Sequence, residues 1–255
     1  MIAPNRIPAH FGMYNANQTL EWFPTDSEES FNRMMQDPKH REYFAKMGWD
    51  KPGAITYKFN SYGFRCEEFT EGPYLLALGC SYTIGIGLPV ESTWPEVLAK
   101  RMGLKCANLA WGGYSADSCY RLAEYWIPKL KPEYVCILVP PRNRLELLLD
   151  TSIMGNRQLP VEVFMPQSMS SIYNENDVYL NHWFLNEDNG RVNSRKNARA
   201  IKDICNNLGI QCYYRFCEDY MTRSREDIGY ARDYLHGGPI IHNILAEEFY
   251  DEYKK

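Results

Sequence analysis

From residue 73 onward, apolar positions come in short unbroken runs separated by stretches of helical period. "PYLLALGC" (73–80) is almost continuously apolar, the pattern of a strand buried on both faces. "STWPEVLAKRMG" follows, where Thr93 and Glu96 suit a capping box, Pro95 suits a first turn, and Gly103 after Lys100 and Arg101 is a stop signal. "KCANLAW" (105–111) reads as a second strand and "GGYSADSCYRLAEYWIPKL" as a helix ending near Leu130. "EYVCILVP" (133–140) and "IQCYYRF" (210–216) give two more strands, with a helix over 194–209 and an amphipathic helix at the C-terminal end.

Strands alternating with helices predict βαβ units, hence an α/β fold with a mainly parallel sheet and helices on both faces. Residues 1–70 break this pattern: they are rich in aromatics, Pro and Asn, with one helical patch around 27–48. They read as an N-terminal extension wrapped on a main domain of residues 71–255. Residues 151–192 read as a long irregular insertion, a kind of loop that is usually functional when it occurs inside a compact domain. No internal repeat or low-complexity tract occurs.

Composition narrows the partners. A formal net charge of −4 offers no basic field for nucleic acid or an anionic membrane surface. The first residues lack the apolar core of a secretory signal, and no apolar run reaches the roughly 18 residues of a membrane span. Eight cysteines are spread through the chain, several inside apolar runs, and none forms a C-x-x-C pair. The expectation is a reduced, cytoplasmic protein.

In a parallel sheet, ligands bind beyond the carboxyl ends of the strands. The rule points to four loops: 79–92, 111–118, 140–150 and 217–238. The first carries Ser81, which alone reads equally as the start of a helix. The second carries Gly112 and Gly113, whose backbone N–H groups can approach a ligand closely. Asn143 supplies an amide donor in the third, and Asp233 and His236 lie three residues apart in the fourth. At that spacing both side chains can face one site, with Asp233 orienting an imidazole able to take a proton from Ser81. Gly85 and Gly87 lack the following Lys-Ser/Thr of a phosphate loop and the third glycine of a dinucleotide fingerprint. Thr83 stands where the α/β-hydrolase elbow requires glycine.

The order Gly-x-Ser-x-Thr after the first strand, Asn-x-x-x-Gly-Gly after the second, Asn after the third and Asp-x-x-His near the end resembles the SGNH (GDSL-type) hydrolase family over roughly residues 73–250. "FNSYGFRCEEF" (59–69) is similar to a lead-in found before the first block in some members. The resemblance implies a three-layer α/β/α sandwich with a flavodoxin-like sheet and ester hydrolysis by a triad of Ser81, His236 and Asp233. It also implies an oxyanion hole of the Ser81 and Gly113 N–H groups with the Asn143 side chain, and neither cofactor nor metal. Its substrate class is a short-acyl ester, O-acetylated carbohydrate included; transfer of the acyl group to a sugar, or a non-catalytic module on the same fold, are the rival readings. Phe164, Tyr173 and Trp183 are candidates to line the pocket.

The chain departs from the pattern in three places. Cys80 replaces an aspartate that usually braces the first loop, and "PPRNRLE" replaces Gly-x-Asn-Asp, so that either Asn143 or Arg144 occupies the third position. "HGGPIIH" stands where His-Pro is more usual. Cys80 reads as a buried structural residue, His242 as a helix residue near the site, and His10, His40 and His182 as surface or packing residues.

Overall fold

The computed structural model describes residues 11–149, 162–164, 186–223 and 229–255. Four parallel strands form the central sheet: β3 (Tyr74–Leu78), β4 (Lys105–Asn108), β5 (Tyr134–Val139) and β8 (Gln211–Phe216), in the order β4-β3-β5-β8. Every residue of β3 is buried, as its apolar run predicts. The chain first steps from β3 to β4 through α4 (Trp94–Met102), then crosses back over β3 through α5 (Ala116–Leu130) to reach β5. Right-handed crossovers in opposite directions put α4 and α5 on opposite faces. α6 (Glu187–Asn207) continues in the second direction and packs on α5; after the short helix α7 (Glu218–Met221), the final helix α8 (Pro239–Tyr253) packs on α4. The result is the expected α/β/α sandwich, with its topological switch between β3 and β5.

Of the expected 151–192 insertion, residues 162–164 and 186–192 fall among the described residues. Strand β6 (Leu147–Leu149) pairs antiparallel with β7 (Glu162–Phe164), and α6 begins at Glu187, before the expected residue 194. Asn186 explains the earlier start, because its side chain accepts from the Asp188 N–H at the cap and acidic residues fill the first turn. Phe164 closes β7. His10, Tyr173, His182 and Trp183 lie outside the described residues.

The N-terminal segment has its own core. Its helical patch is two helices, α1 (Glu28–Met34) and α2 (Pro38–Met47), divided at Asp37, which caps α2. A two-residue strand β1 (Thr19–Leu20) pairs with β2 (Tyr57–Lys58). Phe23, Phe31, Phe44, Trp49, Tyr57 and Phe59 form a buried cluster that continues into Ile84, Ile86, Leu88, Ala110 and Ala231 of the sandwich. All eight cysteines are buried and unpaired by disulfides. Among the described residues, no helix is long and apolar enough to cross a membrane.

The capping box expected at Thr93 and Glu96 does not form. Thr93 holds the cap position, but its hydroxyl donates to the Val90 carbonyl at 2.7 Å. The Trp94 N–H is met instead by Nδ1 of His242, 2.9 Å away on α8. His242 is fully buried, and burial, helped by the nearby charges of His236 and Arg65, pushes its pKa down to about 3. The unfolded chain therefore binds a proton that the folded chain refuses between pH 6.5 and about 3. Stability from this residue is complete above that window and falls as pH drops through it, by about 1.4 kcal/mol per pH unit. We predict that the urea midpoint declines steadily below pH 6.5 and that His242→Asn, which keeps an acceptor for Trp94, flattens the decline.

Candidate functional site

The four loops at the carboxyl ends of the strands meet at the switch. After β3, the chain enters the short helix α3 (Ser81–Ile84). Cys80 takes the cap position without a side-chain cap bond, so Ser81 is the first helical residue and not a cap. The Cys80 carbonyl accepts from the N–H groups of Thr83 and Ile84 at 2.9 and 3.0 Å. The N–H of Ser81 has no partner within this first turn. Ser81 retains 6% exposure, whereas Cys80 has none. The Cys217 thiol hydrogen-bonds Cys80 and holds its pKa low, with Arg144 adding to the effect.

The second loop is bound to the first through Asn108, whose amide donates to the Thr83 carbonyl at 2.9 Å and whose Oδ1 accepts from Ala110 N–H. Of the two glycines that follow, Gly113 is the one the backbone demands: its φ is +83°, in the left-handed region. Ser115 then starts α5 with a reciprocal cap to Ser118.

In the third loop, Asn143 is exposed and Arg144 is half-buried. Arg144 Nη1 donates to the Tyr114 carbonyl at 3.2 Å, beside Gly113. Its charge also acts on Cys80, Cys119 and Cys217, which ring the strand ends. Arg144 thus reaches the loop after β4. The base of the loop is anchored by the buried pair Arg121–Glu146, with contacts of 2.6 and 2.9 Å. Asp117, which accepts from Asn193 and Asn197 on α6, completes this anchor.

The fourth loop holds Asp233 and His236 in a tight turn rather than a helix. Asp233 Oδ1 accepts from the N–H groups of Leu235 and His236 at 3.0 and 3.1 Å, while Oδ2 lies 2.6 Å from His236 Nδ1. Tyr234 between them is forced to a φ of +57°. Its ring stacks on Tyr230 and lies 4.1 Å from that of His40, a packing residue as expected. Burial raises the Asp233 pKa, but hydrogen bonding and charge from His236, with further hydrogen bonds, more than offset it and leave the carboxyl below its usual range. An ionised Asp233 fixes the Nδ1–H tautomer of His236 and leaves Nε2 as a proton acceptor. The His236 ring packs against Tyr82, the neighbour of Ser81, with centroids 5.2 Å apart. Among the described residues, no three His, Cys, Asp or Glu side chains converge as metal ligands.

Several residues around this site escaped the sequence reading. Arg65, from the lead-in "FNSYGFRCEEF", is buried and donates to the carbonyls of Ile84, Gly85 and Leu88 at 3.0, 2.6 and 2.7 Å. Burial lowers its pKa to about 10, which leaves it cationic at neutral pH. Tyr57 receives the Gly87 N–H at 2.8 Å and donates to Asp26 at 2.6 Å. Asp26 in turn forms a two-pronged, fully buried pair with Arg232 at 2.9 and 2.8 Å. Arg232 N–H reaches the Gly87 carbonyl at 2.9 Å, which ties the His236 loop directly to the Ser81 loop. Gly87 has a φ of +75°, and a Cβ there would sit 2.9 Å from the Arg232 nitrogen.

No protein-family description matches the chain, and no curated protein does. Similar solved structures include the psychrotrophic esterase EstA from Pseudoalteromonas sp., at 12% identity, covering 72% of this chain and 97% of that one, with a TM-score of 0.38. TesA is 14% identical, covering 70% of this chain and 96% of its own, at a TM-score of 0.37. A catalytic mutant of Axe2, an acetylxylan esterase from Geobacillus stearothermophilus, is 17% identical, covering 71% and 94%, at 0.36.

Removing one member of a buried ion pair strands the other charge, at a cost of about 3–5 kcal/mol. Arg232→Met is therefore predicted to lower unfolding free energy by about that much in urea titrations. Adding Asp26→Leu to the same chain is predicted to recover at least half of the loss, because no charge is then left unpaired.

Proposed function

We propose that the chain is a serine esterase that cleaves a short-acyl ester, O-acetyl groups on carbohydrate included, through an acyl-enzyme on Ser81. The observation that carries this reading is the Asp233–His236 pair at 2.6 Å, set against Tyr82 at the turn that presents Ser81. Ser81 Oγ attacks the ester carbonyl carbon while His236 Nε2 takes the hydroxyl proton. Asp233 holds the Nδ1–H and stabilises the imidazolium that forms. The C–O bond to the alcohol then breaks, and His236 returns the proton to the leaving oxygen. Water, deprotonated by the same imidazole, hydrolyses the acyl-enzyme and frees Ser81.

The tetrahedral oxyanion is met by the N–H groups of Ser81 and Gly113. The third donor comes from the loop after β5. The exposure of Asn143 and the inward reach of Arg144 to the Tyr114 carbonyl support Arg144 in that role over Asn143. A guanidinium adds a full positive charge where an amide adds only a dipole. The short-acyl substrate class rests on the resemblance of the four motif blocks. No partner other than the ester enters this reading.

A fluorophosphonate is expected to add once to the folded protein and not to Ser81→Ala, as read by intact mass. On p-nitrophenyl esters from acetate to octanoate, Ser81→Ala is expected to lose at least ~10⁴-fold in kcat, with acetate turned over best by the unaltered chain. Failure of the unaltered chain to take up the probe overturns the reading. Arg144→Ala is expected to lower kcat by about 10²-fold and Asn143→Ala by far less. The reverse order assigns the donor to Asn143.

A further inference from the structure

The carboxylate of Asp233 has four hydrogen bonds, and one of them comes from the far end of the chain. Three donors belong to its own turn: the N–H groups of Leu235 and His236 on Oδ1, and His236 Nδ1 on Oδ2. The fourth is the hydroxyl of Thr25, 208 residues earlier, which donates to Oδ2 at 2.8 Å. We infer that Thr25 is a positioning residue of the active site: it completes the shell of Asp233 and holds the carboxylate in the one orientation that serves His236.

Two features make this contact specific. First, Thr25 binds Oδ2, the same oxygen that faces the imidazole. Two donors from different directions fix where that oxygen sits, and a carboxylate free to twist about its last bond loses alignment with Nδ1–H. Second, the neighbouring residue on each strand of chain makes a parallel contact, because Asp26 grips Arg232 while Thr25 grips Asp233. The dipeptide Thr25-Asp26 thus clamps the dipeptide Arg232-Asp233. Asp26 carries the strength of the clamp through a buried ion pair. Thr25 is only half-buried and neutral, so its effect falls on the geometry of Asp233 rather than on the hold of the segment.

The inference rests on the esterase reading, and its test separates the two. Steady-state kinetics on p-nitrophenyl acetate, with active sites counted by fluorophosphonate titration, are compared for the unaltered chain, Thr25→Val and Thr25→Ser. Thr25→Val preserves shape and removes the donor; its kcat per titrated site is expected to fall about tenfold with KM unchanged within about twofold. Thr25→Ser restores the hydroxyl and is expected to recover kcat to within about threefold of the unaltered chain. A purely structural role would lower the number of titratable sites and leave kcat per site intact, and that outcome overturns the inference. So does an equal kcat in all three proteins. If the unaltered chain shows no Ser81-dependent turnover, the esterase reading falls first and takes this role of Thr25 with it.

Discussion

Charge buried away from water must be met by donors or counter-charges, and this demand shapes the molecule around its site. Asp233, Asp26, Arg232 and Arg65 are each at most 1% exposed. An isolated charge at such depth is intolerable, so each is tied to several partners. Those partners lie on different segments. Asp26 and Arg65 come from the N-terminal segment, while Arg232, Asp233 and the carbonyls of the Ser81 loop belong to the sandwich. Satisfying the charges therefore ties the segment around Asp26 and Arg65 to the two loops that carry Ser81 and His236. The aromatic cluster of the segment supplies the area of contact, and the charged pairs fix its register.

Sheet topology supplies the other half of the arrangement. The strand order reverses at the β3–β5 junction, and in open α/β sheets such a switch point is where a ligand crevice forms beyond the carboxyl ends of the strands. Ser81 follows β3 and Arg144 follows β5, so the two flank the crevice directly. Gly113 reaches it from the next strand over, with Asn108 bonded to the Thr83 carbonyl to keep the two loops at a fixed distance. The loop after β8 arrives from the opposite side and is fastened by the Arg232 N–H on Gly87. Four segments from distant parts of the sequence are thus brought together by the sheet and by bonds between loops, from the Asn108 amide to Thr83 and from the Arg232 N–H to Gly87.

What the sequence discloses follows from how local the cause is. The four sheet strands were legible because unbroken apolar runs of that length between amphipathic stretches have few alternatives, and their ends fall within a few residues of the expected ones. Asp233 and His236 were legible as a pair because three residues suffice to bring them together. The cap of α4 was not, since its partner His242 is 148 residues away and competes with a plausible local box. Thr25 and Asp26 were hidden for the same reason, at separations of 208 and 206 residues from their partners. Asn143 and Arg144 differ by a single residue of register in a turn, which hydrophobic pattern does not encode.

Cys80, and not a carboxylate, precedes Ser81 in the loop after β3. A carboxylate at that position would brace the loop from within, by accepting backbone N–H groups. Cys80 is fully buried between the sheet and Cys217, and a thiol is too weak an acceptor for that task. Here the loop is braced from outside and with the opposite charge: Arg65 donates to the carbonyls of Ile84, Gly85 and Leu88. Tyr57 meets the N–H of Gly87. A brace built from donors needs a cation, and a buried cation needs shelter, which the N-terminal segment gives through the Thr56 carbonyl and the face of the Tyr57 ring 4.3 Å away. The loop holding Ser81 is thus braced from the N-terminal segment, by Arg65 through three carbonyls and by Tyr57 through one N–H.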